Sequence, residues 1–485
     1  MGWGSNRWSL PVLAVLAVAG CAAGAGSGSA DTARAPEKRN VILFLGDGMG
    51  VSTVTAARIF AGQMQGETGE EHSLPFEHFP NLALVKTYNT DSQVADSAGT
   101  MAAIMTGEKT RIGHISVSAT VPSNDCRAAL SNELPTLLEM AEDRGFATGV
   151  VSTTRITHAT PAATFAHVPN RDWESDSQLP PAAIEGGCRD IARQLAEFDH
   201  GDGIDVVLGG GRVMFLPADA ADPEHTDVKG IRSDGRNLIR EWVDARPGAR
   251  YVWNRDDFAA LSPADEAPVL GLFEASHMRF EADRGNDAAG EPSVAEMTAF
   301  AIRKLERNPN GFFLMVEGGR IDHAHHGNNA HRAMMDTVAL ADAVKTAVDL
   351  TDERETLIIV TADHSHTLTI SGYPGRGNPI LGKVTYPGGA AATDDQGRPY
   401  TTLGYANGPA YQETFPDLTE VDTEAVDFLQ PVTFPLSSET HGGEDVAAYA
   451  TGPGSEEVHG VMEQNRLFHV MQRFLLPGGS RARGR

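Results

Sequence analysis

The chain has 485 residues, 41% of them hydrophobic, and a formal charge of -26. That length allows a large buried core, with one elaborated domain as the simplest organisation. The acidic balance, without any cluster of Lys and Arg, excludes a surface that grips a nucleic-acid backbone and predicts an acidic, solubilising exterior.

In chain order, Arg7 precedes an apolar run from Leu10 to Gly20 that is too short and too rich in small residues for a membrane span. Residues 1–20 therefore read as an export signal. Val18-Ala19-Gly20-Cys21 has the form of a bacterial lipobox, whose cysteine is acylated after cleavage; ordinary cleavage nearby is the alternative. Residues 21–37 follow as a flexible tether rich in Gly, Ala and Ser. The expectation is an exported protein, periplasmic or at the cell surface, anchored by lipid at Cys21. In such an oxidising compartment Cys126 and Cys188 are expected to pair, with two buried free thiols as the alternative.

Five apolar runs have strand length: Asn40 to Leu45, Ala147 to Ser152, Ile204 to Leu208, Phe312 to Val316 and Thr356 to Thr361. Being apolar on both faces, they predict buried, mostly parallel strands. Helical patterns alternate with them, from Leu134 to Arg144 before Gly145, and from Pro292 to Arg307 before an Asn-Pro-Asn-Gly turn. The fold class is α/β, a central mostly parallel sheet flanked by helices. Residues 215–292 read as irregular and acid-rich. Residues 371–434 lose the helical pattern and read as an insertion on the rim of a main domain made of 38–370 and 435–477. Residues 478–485 read as a disordered tail.

Ligands in open α/β sheets gather beyond the carboxyl ends of the strands, and here those positions are loaded with acids and histidines. The first strand runs into Gly46-Asp47-Gly48, the fourth into Glu317 and then Asp322-His323-Ala324-His325-His326, and the fifth into Asp363-His364-Ser365-His366; His441 follows the insertion. Any one of these alone is weak, since an Asp at a strand end caps a turn as often as it binds metal. Together they are specific. Asp322 and His326, four apart, share one helix face. Asp363-His364 offers the oxygen and nitrogen that suit zinc, while Asp47 and Glu317 offer the hard oxygens that suit magnesium. Asp96-Ser97-Ala98-Gly99-Thr100 opens a helix-prone run, which makes Ser97 either a helix cap or a nucleophile at an anion-binding helix start.

These motifs, with Thr153-Thr154-Arg155-Ile156-Thr157-His158-Ala159-Thr160, Asn170-Arg171 and Glu439-Thr440-His441-Gly442-Gly443-Glu444, resemble the alkaline phosphatase family in order and along nearly the whole chain. The resemblance implies hydrolysis of phosphate monoesters with two zinc ions and one magnesium ion. It implies Asp322, His326 and His441 as ligands of one zinc, Asp363, His364 and Asp47 of the other, and Asp47, Thr160 and Glu317 for magnesium. Ser97 is implied as the phosphoryl acceptor, Arg171 as the clamp on the phosphoryl oxygens, and His366 as the residue that orients a metal-binding carboxylate. His158 and His323 match the animal branch, and His158 is expected beside the magnesium rather than on it. That branch also implies a calcium ion held by Glu224, the Phe273 carbonyl, Glu274 and Glu291, although Glu291 stands where Asp is usual. A homodimer, with 371–434 as a crown at its interface, is implied in the same way. The signatures of a sulfatase and of a Gly-x-Ser-x-Gly esterase are absent around Ser97.

Overall fold

A computed structural model describes residues 38–477. The expected export signal, the lipobox cysteine, the tether and the C-terminal tail lie outside the described residues. The chain contributes first β1 (Arg39–Gly46), β2 (Asn81–Lys86), β3 (Ala147–Arg155), β4 (Val206–Gly210), β5 (Arg250–Val252), β6 (Val269–Leu272), β7 (Gly311–Gly318) and β8 (Thr356–Ala362). Five short strands follow, β9 (Ser365–His366), β10 (Thr369–Ile370), β11 (Leu403–Gly408), β12 (Val432–Pro435) and β13 (His441–Gly442). Finally β14 (Val446–Thr451) and β15 (Gly460–Glu463) return to the large sheet.

That sheet has ten strands in the order β15-β2-β14-β8-β1-β7-β3-β4-β6-β5. Every pair is parallel except those that β14 makes with β2 and β8. The five strands expected from the sequence are β1, β3, β4, β7 and β8, buried along almost their whole length as their apolar runs require. Helices cover them, among them Val51–Met64, Val294–Leu305 and the long Ala330–Leu350.

Local chemistry sets the helix starts more tightly than apolar spacing does. The expected Leu134 to Arg144 helix is Leu137–Glu142, because Thr136 Oγ1 accepts from the Glu139 N–H while Glu139 Oε2 accepts from the Thr136 N–H. The helix expected from Pro292 begins at Val294 for the same reason, with Ser293 and Glu296 as the reciprocal pair. Residues 215–292, expected to be irregular, instead hold β5, β6 and the helix Leu238–Ala245. Residues 371–434 contain no helix; β11 pairs antiparallel with β10 and parallel with β12. Cys126 and Cys188 are disulfide-bonded with Cα atoms 5.8 Å apart, 62 residues apart in the chain. A loop of that length contributes roughly 4 kcal/mol through the entropy of the unfolded chain.

Candidate active site and metal centre

The sheet order β8-β1-β7-β3 lines up four carboxyl ends side by side. Parallel register does the rest: Leu45 lies opposite both Thr361 and Glu317, and Glu317 opposite Ser152, so the residues just beyond converge. Asp47 leaves β1 in a turn whose Gly48 has φ +67°, and a Cβ there would stand 2.3 Å from His366 Nε2. Only glycine permits that approach.

Ser97 is the first residue of the helix Ser97–Thr106, and the cap is Asp96, whose Oδ1 accepts from the Gly99 N–H at 3.1 Å. The serine hydroxyl is therefore released from the capping role that the sequence left open. Its Oγ lies 3.2 Å from His364 Nε2 and 3.5 Å from Asp47 Oδ1. Arg171 reaches the same region, with Nη1 3.2 Å from Asp96 Oδ2 and Nη2 3.0 Å from His158 Nε2.

Three clusters of donor atoms surround this serine. His326 Nε2 stands 3.3 Å from Asp322 Oδ1 and 3.3 Å from His441 Nε2, which is 3.5 Å from Asp322 Oδ1. A tetrahedron with metal bonds of about 2.05 Å has edges of about 3.3 Å, so the triangle has the dimensions of one face of a tetrahedral metal site. His364 Nε2 lies 3.4 Å from Asp47 Oδ1 and 3.3 Å from Asp363 Oδ2, which form a second group of donor atoms, and Ser97 Oγ lies 3.2 Å from the same nitrogen. Asp47, Glu317 and His158 form the third. A His158 ring nitrogen thus lies within 4.8 Å of a carboxylate oxygen of each of Asp47 and Glu317.

The carboxylates are buried with almost nothing to neutralise them. Burial, then the charges of Asp363, Asp322 and Glu317, pushes the Asp47 carboxyl far above its ordinary range. Glu317 is raised to about 7 by burial, against hydrogen bonds from Ser152 and Thr154. Asp47 Oδ2, Asp363 Oδ2, Glu317 Oε1 and Thr160 Oγ1 are buried without hydrogen-bond partners. Unpaired buried oxygens on mutually repelling acids are costly, and divalent cations are what this donor set fits.

Asp322 differs, held well below the carboxylate range because the opposing effect of burial is outweighed by His326, His366 and His441. His366 Nε2 is 2.8 Å from Asp322 Oδ1 and its Nδ1 is 2.5 Å from Glu439 Oε2. An acceptor stands at each ring nitrogen, and although burial opposes a charge on the ring, the Asp322 and Glu439 carboxylates raise its pKa to about 9. Glu439 also accepts from the Thr367 N–H at 2.7 Å and from the Thr367 hydroxyl at 2.6 Å. The sequence reading gave Glu439 no role, and its signal was only its place two residues before His441. It reaches the site because β13 pairs antiparallel with β9, setting His441 opposite His366.

A separate cluster joins Glu224, His225 and Glu274. Glu291 flanks it, raised to about 9 by burial and then by Glu274, and Phe273 is buried next to Glu274 in the chain. His225 and Asp287, the latter raised to about 6 by burial and then by Glu224, are members that sequence reasoning missed.

A helix start that presents a serine hydroxyl among buried, unneutralised carboxylates at the carboxyl edge of an α/β sheet defines a metal-binding hydrolase. Comparison with known proteins narrows the class. The chain belongs to the alkaline phosphatase family, whose sequence profile matches residues 38–476. It is 47% identical to the tissue-nonspecific alkaline phosphatase isozyme of Gallus gallus over 453 residues, 92% of this chain and 86% of the relative. It is 44% identical to the alkaline phosphatase of Gadus morhua over 451 residues, 91% and 93% of the two chains. The fold is shared with the alkaline phosphatase of Thermus thermophilus, at a TM-score of 0.64 and 24% identity over 90% of this chain and 91% of that one. The enzyme of the Antarctic bacterium TAB5 shares it too, at 0.61 and 23% identity over 91% and 99%.

Proposed function

We propose that the chain hydrolyses phosphate monoesters through a phosphoserine at Ser97, with two zinc ions and one magnesium ion in the three clusters. The observation that carries this reading is the Ser97 hydroxyl at 3.2 Å from His364 Nε2 and 3.5 Å from Asp47 Oδ1, both members of one donor group. Asp322, His326 and His441 hold one zinc, Asp47, Asp363 and His364 the other, and Asp47, Thr160 and Glu317 the magnesium, with His158 beside it. Bound there, the divalent ions supply the positive charge that favours a serine alkoxide, an anionic leaving oxygen and attacking water.

The chain's own residues do the positioning. Ser97 Oγ attacks phosphorus in line while the ester P–O bond breaks and the alcohol departs; water then breaks the Ser97–phosphorus bond and releases phosphate. Ser97 sits where the helix dipole and free N–H groups favour the phosphoryl charge. Arg171 clamps two phosphoryl oxygens, and Asp96 and His158 hold its guanidinium ready for them.

The Glu224, Glu274 and Glu291 carboxylates with the Phe273 carbonyl take a further divalent cation. The Cys126–Cys188 bond supports an exported location, with lipid attachment at Cys21. Tyr373, Phe434 and Leu436, exposed in or beside residues 371–434, support a homodimer built through that crown.

Replacing Ser97 tests the nucleophile. Ser97→Ala should lower turnover of p-nitrophenyl phosphate by roughly a thousandfold or more at unchanged metal content, and acid quenching should trap phosphoserine in the wild type only. Turnover close to wild type in Ser97→Ala overturns the assignment.

A further inference from the structure

The cluster at the carboxyl end of β6 departs from an all-oxygen calcium site in one respect: it contains an imidazole. His225 Nε2 lies 3.2 Å from Glu274 Oε2 and 3.8 Å from Glu224 Oε2, and one donor atom from each of the three residues falls within 4.8 Å of the others. The Glu224 side chain is 5% exposed and Glu291 1%, and each keeps one buried oxygen, Glu224 Oε1 and Glu291 Oε2, without a hydrogen-bond partner. Both oxygens of Asp287 are likewise buried and unpartnered.

The cluster is also braced from outside. Arg212, fully buried, meets Glu224 Oε2 at 2.7 Å while Asp222 fixes its guanidinium at 2.7 and 2.8 Å. The Asp222 carboxylate also accepts from the His225 N–H at 3.0 Å, which fixes the backbone under the imidazole. The Arg279 N–H donates to Glu291 Oε1 at 2.9 Å, leaving Oε2 free. Such outer contacts hold ligands in place before an ion arrives. A second cation besides Arg212 touches the cluster: Arg279 Nε lies 2.7 Å from Glu274 Oε1, on a side chain that is 45% exposed and can swing into solvent when an ion enters.

Calcium takes six to eight oxygens in a loose shell and has little use for nitrogen, whereas imidazole with carboxylates suits the borderline first-row ions. We propose that this cluster is a mixed nitrogen–oxygen site in which His225 selects a first-row transition ion, zinc foremost, over calcium. The proposal rests on the reading that the cluster takes a divalent cation.

Metal counting after loading the full enzyme with micromolar zinc and millimolar calcium together, then desalting, tests both. The difference between wild type and Glu274→Gln isolates the ion of this cluster from those around Ser97. It should be one zinc per chain. His225→Phe, at a position whose side chain is 32% exposed, should lose that zinc and gain one calcium, its zinc affinity there falling by at least about tenfold. One calcium in both wild type and His225→Phe overturns the role of the imidazole. No difference in either metal between wild type, Glu274→Gln and His225→Phe overturns the cation reading itself. The readout does not depend on activity, and His225→Phe alone decides the selectivity if Glu274→Gln does not fold.

Discussion

Arg171 illustrates how much of this site is positioning. Its guanidinium has partners on two sides, Asp96 and His158, so little motion is left to lose when a phosphoryl group arrives. Hydrogen bonds to charged groups are worth about 1.5–3 kcal/mol, and Arg171→Ala should weaken inhibition by inorganic phosphate by about ten- to a hundredfold. An unchanged inhibition constant would remove the clamp from the mechanism. Glu439 acts one step further out, through His366 onto Asp322. Glu439→Gln should lower zinc affinity about ten- to a hundredfold, read by zinc titration of the chelated enzyme, with little change in the fold. Most of the residues around the serine were legible because each follows an apolar strand run. Glu439 was not, since its carboxylate meets His366 only through β13 and β9, two strands too short to leave a pattern. His225 was hidden in the same way, in a loop where periodicity says nothing.

Among the elements, the buried parallel strands announced themselves and the others did not. In β2, Ala83 and Val85 are buried while Leu82 and Leu84 are exposed, so hydrophobicity no longer marks the inward face. The strands β5 and β6 have three and four residues, below the length at which a pattern declares itself. The helix Leu137–Glu142 and β3 meet at a buried acid, Glu142, which accepts from the Thr148 hydroxyl. Burial, reinforced by Asp205 and Asp202, pushes Glu142 to about 9. Between its ordinary value and about 9 the unfolded chain releases this proton and the folded chain keeps it, so the group makes stability fall as pH rises through that window. Glu142→Gln removes the titration. Its melting temperature should therefore decline less steeply from pH 5 to 9, with a gain of about 2 °C or more at the alkaline end. Parallel curves for the two proteins would mean that Glu142 ionises normally.

Across the whole molecule, a charge of -26 repels the anionic substrate that the site must attract. Asp47, Glu317, Asp322 and Asp363 deepen that field unless cations reverse it. Bound cations would therefore serve structure as well as chemistry. Ligands that favour the folded state add about 4 kcal/mol when present at a thousand times their Kd, so chelation should lower the melting temperature by several degrees. A scan with and without chelator checks this, and unchanged melting would mean that the buried acids are neutralised by protons alone.

The central claim is that Ser97 reacts with phosphate monoesters only within this cation-filled frame. Its most direct test is p-nitrophenyl phosphate hydrolysis, followed through chelation and the return of zinc and magnesium, in wild type and Ser97→Ala. Wild type should lose activity on chelation and regain it with the two metals together, while Ser97→Ala stays inactive throughout. Full activity in the chelated wild type, or recovery in Ser97→Ala, would contradict the account.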